Sequence, residues 1–326
     1  MIATALGSFA GHDYAACCRA VLGELVGRAP MPELPARGPG ADMIGRAASL
    51  LPGLPVDLQP SGWRLAQGPS LIGRRARRML GDDREIFVEH LADWPGTPTL
   101  TVAGPLTLAA RLGLPRGGRA VGDAGALRDI AQSWTAGVGD FVRGTARLAE
   151  RPVAVQIDEP CLAMVLDGEV PDESGRHRLD PVDGQRARGV LADAVDAARA
   201  GGELVALHCC ADDPHLDVLG AAGADALSLD VRAWAGGRWD ELAAWCDAAP
   251  DRSPWLGLVG ADEEEPDVAD LARRFARARA GLDVAEDSPR PADWALTPAC
   301  GLAGASENGQ WRILRALAGV ADDAGA

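Results

Sequence analysis

The stretch Leu204-Val205-Ala206-Leu207-His208-Cys209-Cys210 governs the reading of this chain. A short apolar run of β type passes directly into a histidine and two thiols. The same form recurs at Ala226-Leu227-Ser228-Leu229-Asp230, and before Cys300 in Leu296-Thr297-Pro298-Ala299-Cys300. Side chains that follow buried strands can meet at one end of a sheet, and a histidine with two cysteines there could hold a thiophilic metal, zinc first among candidates.

Working outward, eight strands are expected at Ile2–Leu6, Trp63–Ala66, Thr99–Ala103, Val153–Ile157, Leu204–Leu207, Ala226–Leu229, Trp255–Val259 and Trp294–Thr297. Helical periodicity falls between them at Tyr14–Gly27, Ala126–Ala149, Gln185–Ala200, Glu241–Ala248, Val268–Gly281 and Trp311–Val320. In Val268–Gly281, Leu271, Phe275 and Ala278 share one face while arginines occupy much of the rest, the pattern of a surface helix covering a sheet. Strands alternating with helices predict an α/β chain with a parallel sheet, and eight is the number of the (β/α)8 TIM-type barrel. No boundary or repeat divides residues 1–326, so a single barrel domain is expected. Trp63–Ala66 is the weakest strand, and a doubly wound open sheet is the alternative. The Pro- and Gly-rich segment Pro30–Pro60 is expected to wind across the barrel, and polar Val170–Asp183 to form an exposed excursion.

Composition narrows the function. At 47% hydrophobic residues the chain can bury a large core, and the formal charge of −15 offers phosphates no broad basic surface. Nucleic acid and anionic membranes are therefore not expected as partners; a small ligand is. No apolar run approaches the length of a membrane span and no signal-peptide pattern opens the sequence, so a cytoplasmic location is expected. All 32 basic residues are arginine, which excludes lysine Schiff-base chemistry and a P-loop lysine. The seven cysteines follow no disulfide framework: Cys17 and Cys18 read as helix residues, Cys161 and Cys246 as packing.

A barrel places its chemistry after the strands. Those positions carry Gly7 and Ser8, Gln67, Gly104, Asp158 and Glu159, His208 with Cys210, Asp230, Gly260 and Cys300. His208 and Cys210, two apart on a strand, point to the same side and can chelate one ion. Cys300 supplies a third ligand and Asp230 a carboxylate fourth, with Cys209 as the alternative to Cys210. The competing reading leaves His208 hydrogen-bonded at a strand end, both cysteines packed and Asp230 capping a loop.

At these residues the chain resembles the C-terminal catalytic barrel of cobalamin-independent methionine synthase, whose zinc is held by a His-x-Cys pair, a later glutamate and a distant cysteine. Thr-Ala-Leu-Gly-Ser-Phe at 4–9 resembles its Gly-Ser-Phe motif, Gly104-Pro105-Leu106-Thr107 its Gly-Pro-x-Thr turn, and Gln156-Ile157-Asp158-Glu159-Pro160 its Gln-x-Asp-Glu-Pro. The resemblance implies a Zn2+ site of His208, Cys210, Asp230 and Cys300, with Asp230 one methylene shorter than the family's glutamate. It also implies homocysteine held by Gly7 and Ser8 at its carboxylate or backbone and by Asp158 at its amino group.

Departures accompany the matches. Arg111 stands where the family stacks a tryptophan on the pterin, Met164 where a glutamate contacts it, and Pro69 where a second glutamate helps hold the amino acid. The family's proton-donor histidine aligns near Asp262, so His12 is the candidate substitute in catalysis. The expected activity is a zinc-dependent methyl transfer to homocysteine, giving methionine, from a methyltetrahydrofolate, a corrinoid protein or another small methyl carrier. A methyltransferase or lyase acting on another thiol, a binding protein with structural zinc, and a metal-free decarboxylase are the alternatives.

Overall fold

Parallel pairing dominates the computed structural model, which describes residues 1–199, 202–249, 251–283 and 294–325. The strands in chain order are β1 (Ile2–Ala3), β2 (Arg28–Pro30), β3 (Val56–Gln59), β4 (Gly62–Leu65), β5 (Thr97–Ala103), β6 (Val153–Asp158), β7 (Gly202–Cys209), β8 (Ala226–Asp230), β9 (Ser253–Val259) and β10 (Ala295–Pro298). Eight of them form one sheet in the order β1-β10-β9-β8-β7-β6-β5-β2. A parallel bridge between Ser8 and Glu33 then brings the two edges together just beyond β1 and β2. The result is a nearly closed (β/α)8 barrel, and the open-sheet alternative is excluded by that closure.

One expected strand is corrected. Trp63–Ala66 does not enter the barrel: β4 pairs antiparallel with β3 in a separate hairpin. The barrel's second strand is β2, three residues that pair with β5. Its brevity hid it, and so did Pro30, which lacks the N–H of a regular ladder residue. Pro30–Pro60 accordingly holds β2's last residue, a 3-10 turn at Pro35–Arg37, a helix at Met43–Ser49 and the start of the hairpin.

The expected helices are found at Tyr14–Glu24, Ala124–Leu148, Gly184–Arg199, Gly237–Asp247, Val268–Gly281 and Gly309–Gly325; Ala200 lies outside the described residues. Helix Leu71–His90 was not foreseen. Its inner face is Ala76, Leu80, Asp83 and Phe87, a 4-3-4 spacing in which a buried aspartate breaks the apolar stripe, surrounded by arginines. Ser70 caps it by accepting from the Gly73 N–H at 2.9 Å. The Val170–Asp183 excursion is exposed from Glu173 to Arg178, between buried Val170 and Val182.

Inside the barrel the layers change character along the strands. At one level Ala206, Ala226 and Ala295 leave room that Trp255 fills, and Arg28 stacks on that indole at 5.2 Å. Further along β7 and β8 come His208 and Ser228, and on the neighbouring β6 Gln156 and Asp158, all buried and all polar. This polar layer underlies the candidate site. Among the described residues no helix is long and apolar enough to cross a membrane.

Candidate metal centre

His208 and Cys210 come from the end of β7, and Cys300 from the turn just after β10. Their donor atoms lie within 4.8 Å of one another, with the two Sγ atoms 3.5 Å apart. Two sulfurs on a tetrahedral zinc at ~2.3 Å each would stand roughly 3.8 Å apart, so the spacing suits that ion. His208 is 4% exposed, and its Nδ1 lies 3.1 Å from both the carbonyl oxygen and the hydroxyl of Ser228. An Nδ1–H donated to that carbonyl leaves Nε2 as the ligand atom, the outer-shell arrangement usual for a metal-bound imidazole. Cys209, the alternative ligand, is fully buried and outside this cluster.

The electrostatics of the cluster favour anionic sulfur. Hydrogen bonds from Cys210 and His208 hold the Cys300 thiol down at about 4, against burial. Sharing its proton with Cys300, together with burial, pushes Cys210 up. Burial works to lower His208, but contact with Cys300 and the charge of Asp158 outweigh it, and the net direction is upward.

Asp158 ends β6 beside this cluster, 3% exposed, and accepts from Gln156 Nε2 at 2.7 Å. The same Gln156 nitrogen reaches the Leu6 carbonyl at 3.3 Å, tying Asp158 to the chain that leads into Gly7. Burial pushes the Asp158 carboxyl up to about 8; His208 opposes the shift and Glu33 adds to it. Gly7 has φ +100°, and a Cβ there would strike Thr101, so glycine is required on both counts. Ser8 is fixed on both sides: Leu302 N–H donates to its carbonyl at 2.8 Å, and the neighbouring Phe9 N–H to Glu33 O at 2.8 Å. Its hydroxyl fills the space above Gly301, next to Cys300.

Asp230 sits at the end of β8, level with Cys210 by the ladder that pairs His208 with Ser228 and Cys209 with Leu229. Its carboxylate is not among the clustered donor atoms; it forms a two-pronged pair with Arg232 at 3.0 and 2.9 Å. His12 is exposed in the turn before helix Tyr14–Glu24 and is likewise not among the clustered donors.

Glu33 escaped the sequence reading. It follows β2 by three residues, is 3% exposed, and accepts from Thr101 Oγ1 at 3.3 Å. Behind it Arg46 Nε stands 3.3 Å away, and Arg46 is held in turn by Asp83 at 3.0 Å, with Arg37 on the other Asp83 oxygen at 2.7 Å. Burial raises the Glu33 carboxyl despite Arg46. Pro69 follows the hairpin and not a barrel strand, whereas the residue beyond the barrel's second strand is the acid Glu33. The only signal was an isolated Glu in Met31-Pro32-Glu33-Leu34-Pro35, after a strand too short to notice.

No model of a known protein family matches the sequence, and no curated protein matches it. Solved structures do. The chain is similar to a B12-independent methionine synthase from Shewanella sp. W3-18-1 in complex with selenomethionine, at 10% identity and TM-score 0.64, covering 98% of this chain and 96% of that one. It is also similar to a methyltransferase from Methanosarcina mazei, at 15% identity and TM-score 0.57, covering 95% and 84%. At such identities the likeness is one of fold.

Proposed function

We propose that this protein is a zinc-dependent S-methyltransferase whose thiol substrate is homocysteine and whose product is methionine. The observation that carries the reading is the cluster of His208, Cys210 and Cys300 donor atoms at the mouth of a barrel. Zinc held there would deprotonate a substrate thiol and keep its sulfur nucleophilic. The likeness of fold to a methionine synthase and a methyltransferase supports the same reaction class.

The remaining roles belong to the chain's own groups. Asp158 and Glu33, two carboxyls that burial raises, with Glu33 adding to the shift of Asp158, form a place for an ammonium: a substrate amino group would neutralise the charge that burial now disfavours. Gly7 and Ser8, fixed between Glu33 and Leu302, offer backbone and hydroxyl contacts to the substrate carboxylate. In this reading the thiol, amine and carboxylate of one amino acid are gripped at three points, which aims the sulfur at an incoming methyl group.

A non-folate donor, such as a methylated corrinoid protein, fits better than methyltetrahydrofolate. Arg111, at the position of the family's pterin-stacking tryptophan, spends its Nε–H on Cys161 Sγ at 3.2 Å. The experiment is methionine formation from homocysteine by zinc-loaded protein with methyltetrahydrofolate and with methylcobalamin, alone and on a corrinoid protein. Turnover with either cobalamin donor and not with the folate supports the reading; no methionine from any of them overturns it.

A further inference from the structure

Arg232, about a third exposed, is a fixed cation beside Asp230 at the end of β8. Its Nε and Nη2 grip the two oxygens of Asp230 at 3.0 and 2.9 Å, and its backbone N–H adds a third bond to Oδ1 at 3.1 Å. On its far side Nη1 faces Glu263 at 3.5 Å. Glu263 is anchored by Arg274 at 2.7 and 3.1 Å and by the Gly260 N–H at 2.9 Å. Arg274 reaches on to the Leu258 carbonyl at 2.8 Å and to Asp270 at 2.7 Å. A Cβ on Gly260 would meet Arg232 Nη1 at 2.5 Å, so glycine there clears room for the guanidinium.

Asp230 is thus the acid level with Cys210 on the adjacent strand, yet its carboxylate is occupied by a permanently charged fork whose position is set by a second ion pair. Three N–H bonds from Arg232 already engage both Asp230 oxygens, so turning the carboxylate onto a metal would mean loosening that grip. With Asp230 held aside, His208 and two thiolates leave a neutral zinc shell with a position for a substrate thiolate. With Asp230 bound, that thiolate would enter a shell already carrying a net negative charge.

We infer that Arg232 is a positioning residue that holds Asp230 off the metal and so keeps a coordination position open to the thiol substrate. The inference rests on the zinc reading above and adds a part to it.

The test uses the full-length protein and the variants Asp230→Ala, Arg232→Met and the double variant. Zinc affinity is read by competition with a chromophoric chelator. Thiol entry is read from the sulfur-to-metal absorption band when homocysteine is added to cobalt-loaded protein. Asp230→Ala is expected to keep zinc affinity within about twofold. Arg232→Met is expected to tighten zinc and weaken thiol binding, each by about tenfold or more, the size of effect outer-shell partners have on metal sites. The double variant should return both to the original values, a reversal that a merely structural role for Arg232 would not give. Arg232→Gln serves if the methionine variant does not fold.

If Asp230→Ala loosens zinc about tenfold or more while homocysteine still gives its band, Asp230 is a resting ligand; the inference falls and the methyltransferase reading stands. Zinc affinity and thiol binding both unmoved in Arg232→Met also overturn the inference. Protein that binds no zinc removes both readings.

Discussion

The Glu159 side chain lies over Gly104 in the space that a Cβ would occupy. From there its carboxyl caps helix Pro105–Arg111, accepting from Leu106 N–H at 3.0 Å, Thr107 N–H at 2.7 Å and Thr107 Oγ1 at 2.6 Å. The two short motifs Gly-Pro-Leu-Thr and Asp-Glu-Pro are halves of one joint between neighbouring strands. Because Glu159 follows Asp158, the joint also fixes where Asp158 points.

Gly104→Ala therefore should displace a buried, fully bonded carboxyl. The expected cost is about 2–4 kcal/mol of unfolding free energy, from steric displacement plus lost caps, measured by urea denaturation. A loss below about 0.5 kcal/mol, the level of an ordinary surface change, would show that Glu159 moves aside freely.

Burial pushes Glu159 up to about 7, its hydrogen bonds from Thr107 and Leu106 notwithstanding. An acid whose folded value lies above its unfolded value near 4.3 binds more protons when folded. Its contribution is complete below that unfolded value and is lost as pH rises through the folded one. Between pH 4.5 and 7.5 the wild-type protein should thus lose on the order of 3 kcal/mol relative to Glu159→Gln, from 1.36 kcal/mol per unit. Parallel stability profiles for the two proteins would contradict this.

Asp158→Asn should retain zinc, since the donor cluster comprises His208, Cys210 and Cys300. It should raise KM for homocysteine about 10- to 100-fold through loss of a charged hydrogen bond to the substrate amine. Equal loss of affinity for a thiol lacking the amino group would place Asp158 in some other role.

Metal removal separates site from scaffold. The cluster sits at the strand ends with Cys300 exposed, so chelation should abolish thiol binding while far-UV circular dichroism persists. His208→Ala and Cys300→Ser should each lose stoichiometric zinc. Global unfolding on chelation would instead indicate a structural metal.

Asp83→Ala should be severe although it lies far along the chain from any motif. Asp83 is fully buried and pairs with Arg46 and Arg37, so its removal strips the buried Arg46 of one of its two carboxylate partners and should cost about 3–5 kcal/mol. Asp83→Asn should recover part of the loss, and homocysteine affinity should fall in both through Glu33, which Arg46 also holds.

The sequence by itself determined what depends on neighbours along the chain. The two-residue period of a strand puts His208 and Cys210 on one side, and seven of the barrel strands announce themselves as apolar runs. Gly7, Gly104 and the Asp158-Glu159 pair stand in short motifs. The tertiary structure decided what depends on partners distant in sequence. β2 exists only because β5 pairs with it, and Glu33 is held at the site by backbone bonds to Gly7 and Phe9, by Thr101 and by Arg46. The ion pairs of Glu263 with Arg232 and Arg274 join residues from separate elements that only the fold brings together. Charge pairing acts through space and selects its partner only after the barrel has brought the candidates together.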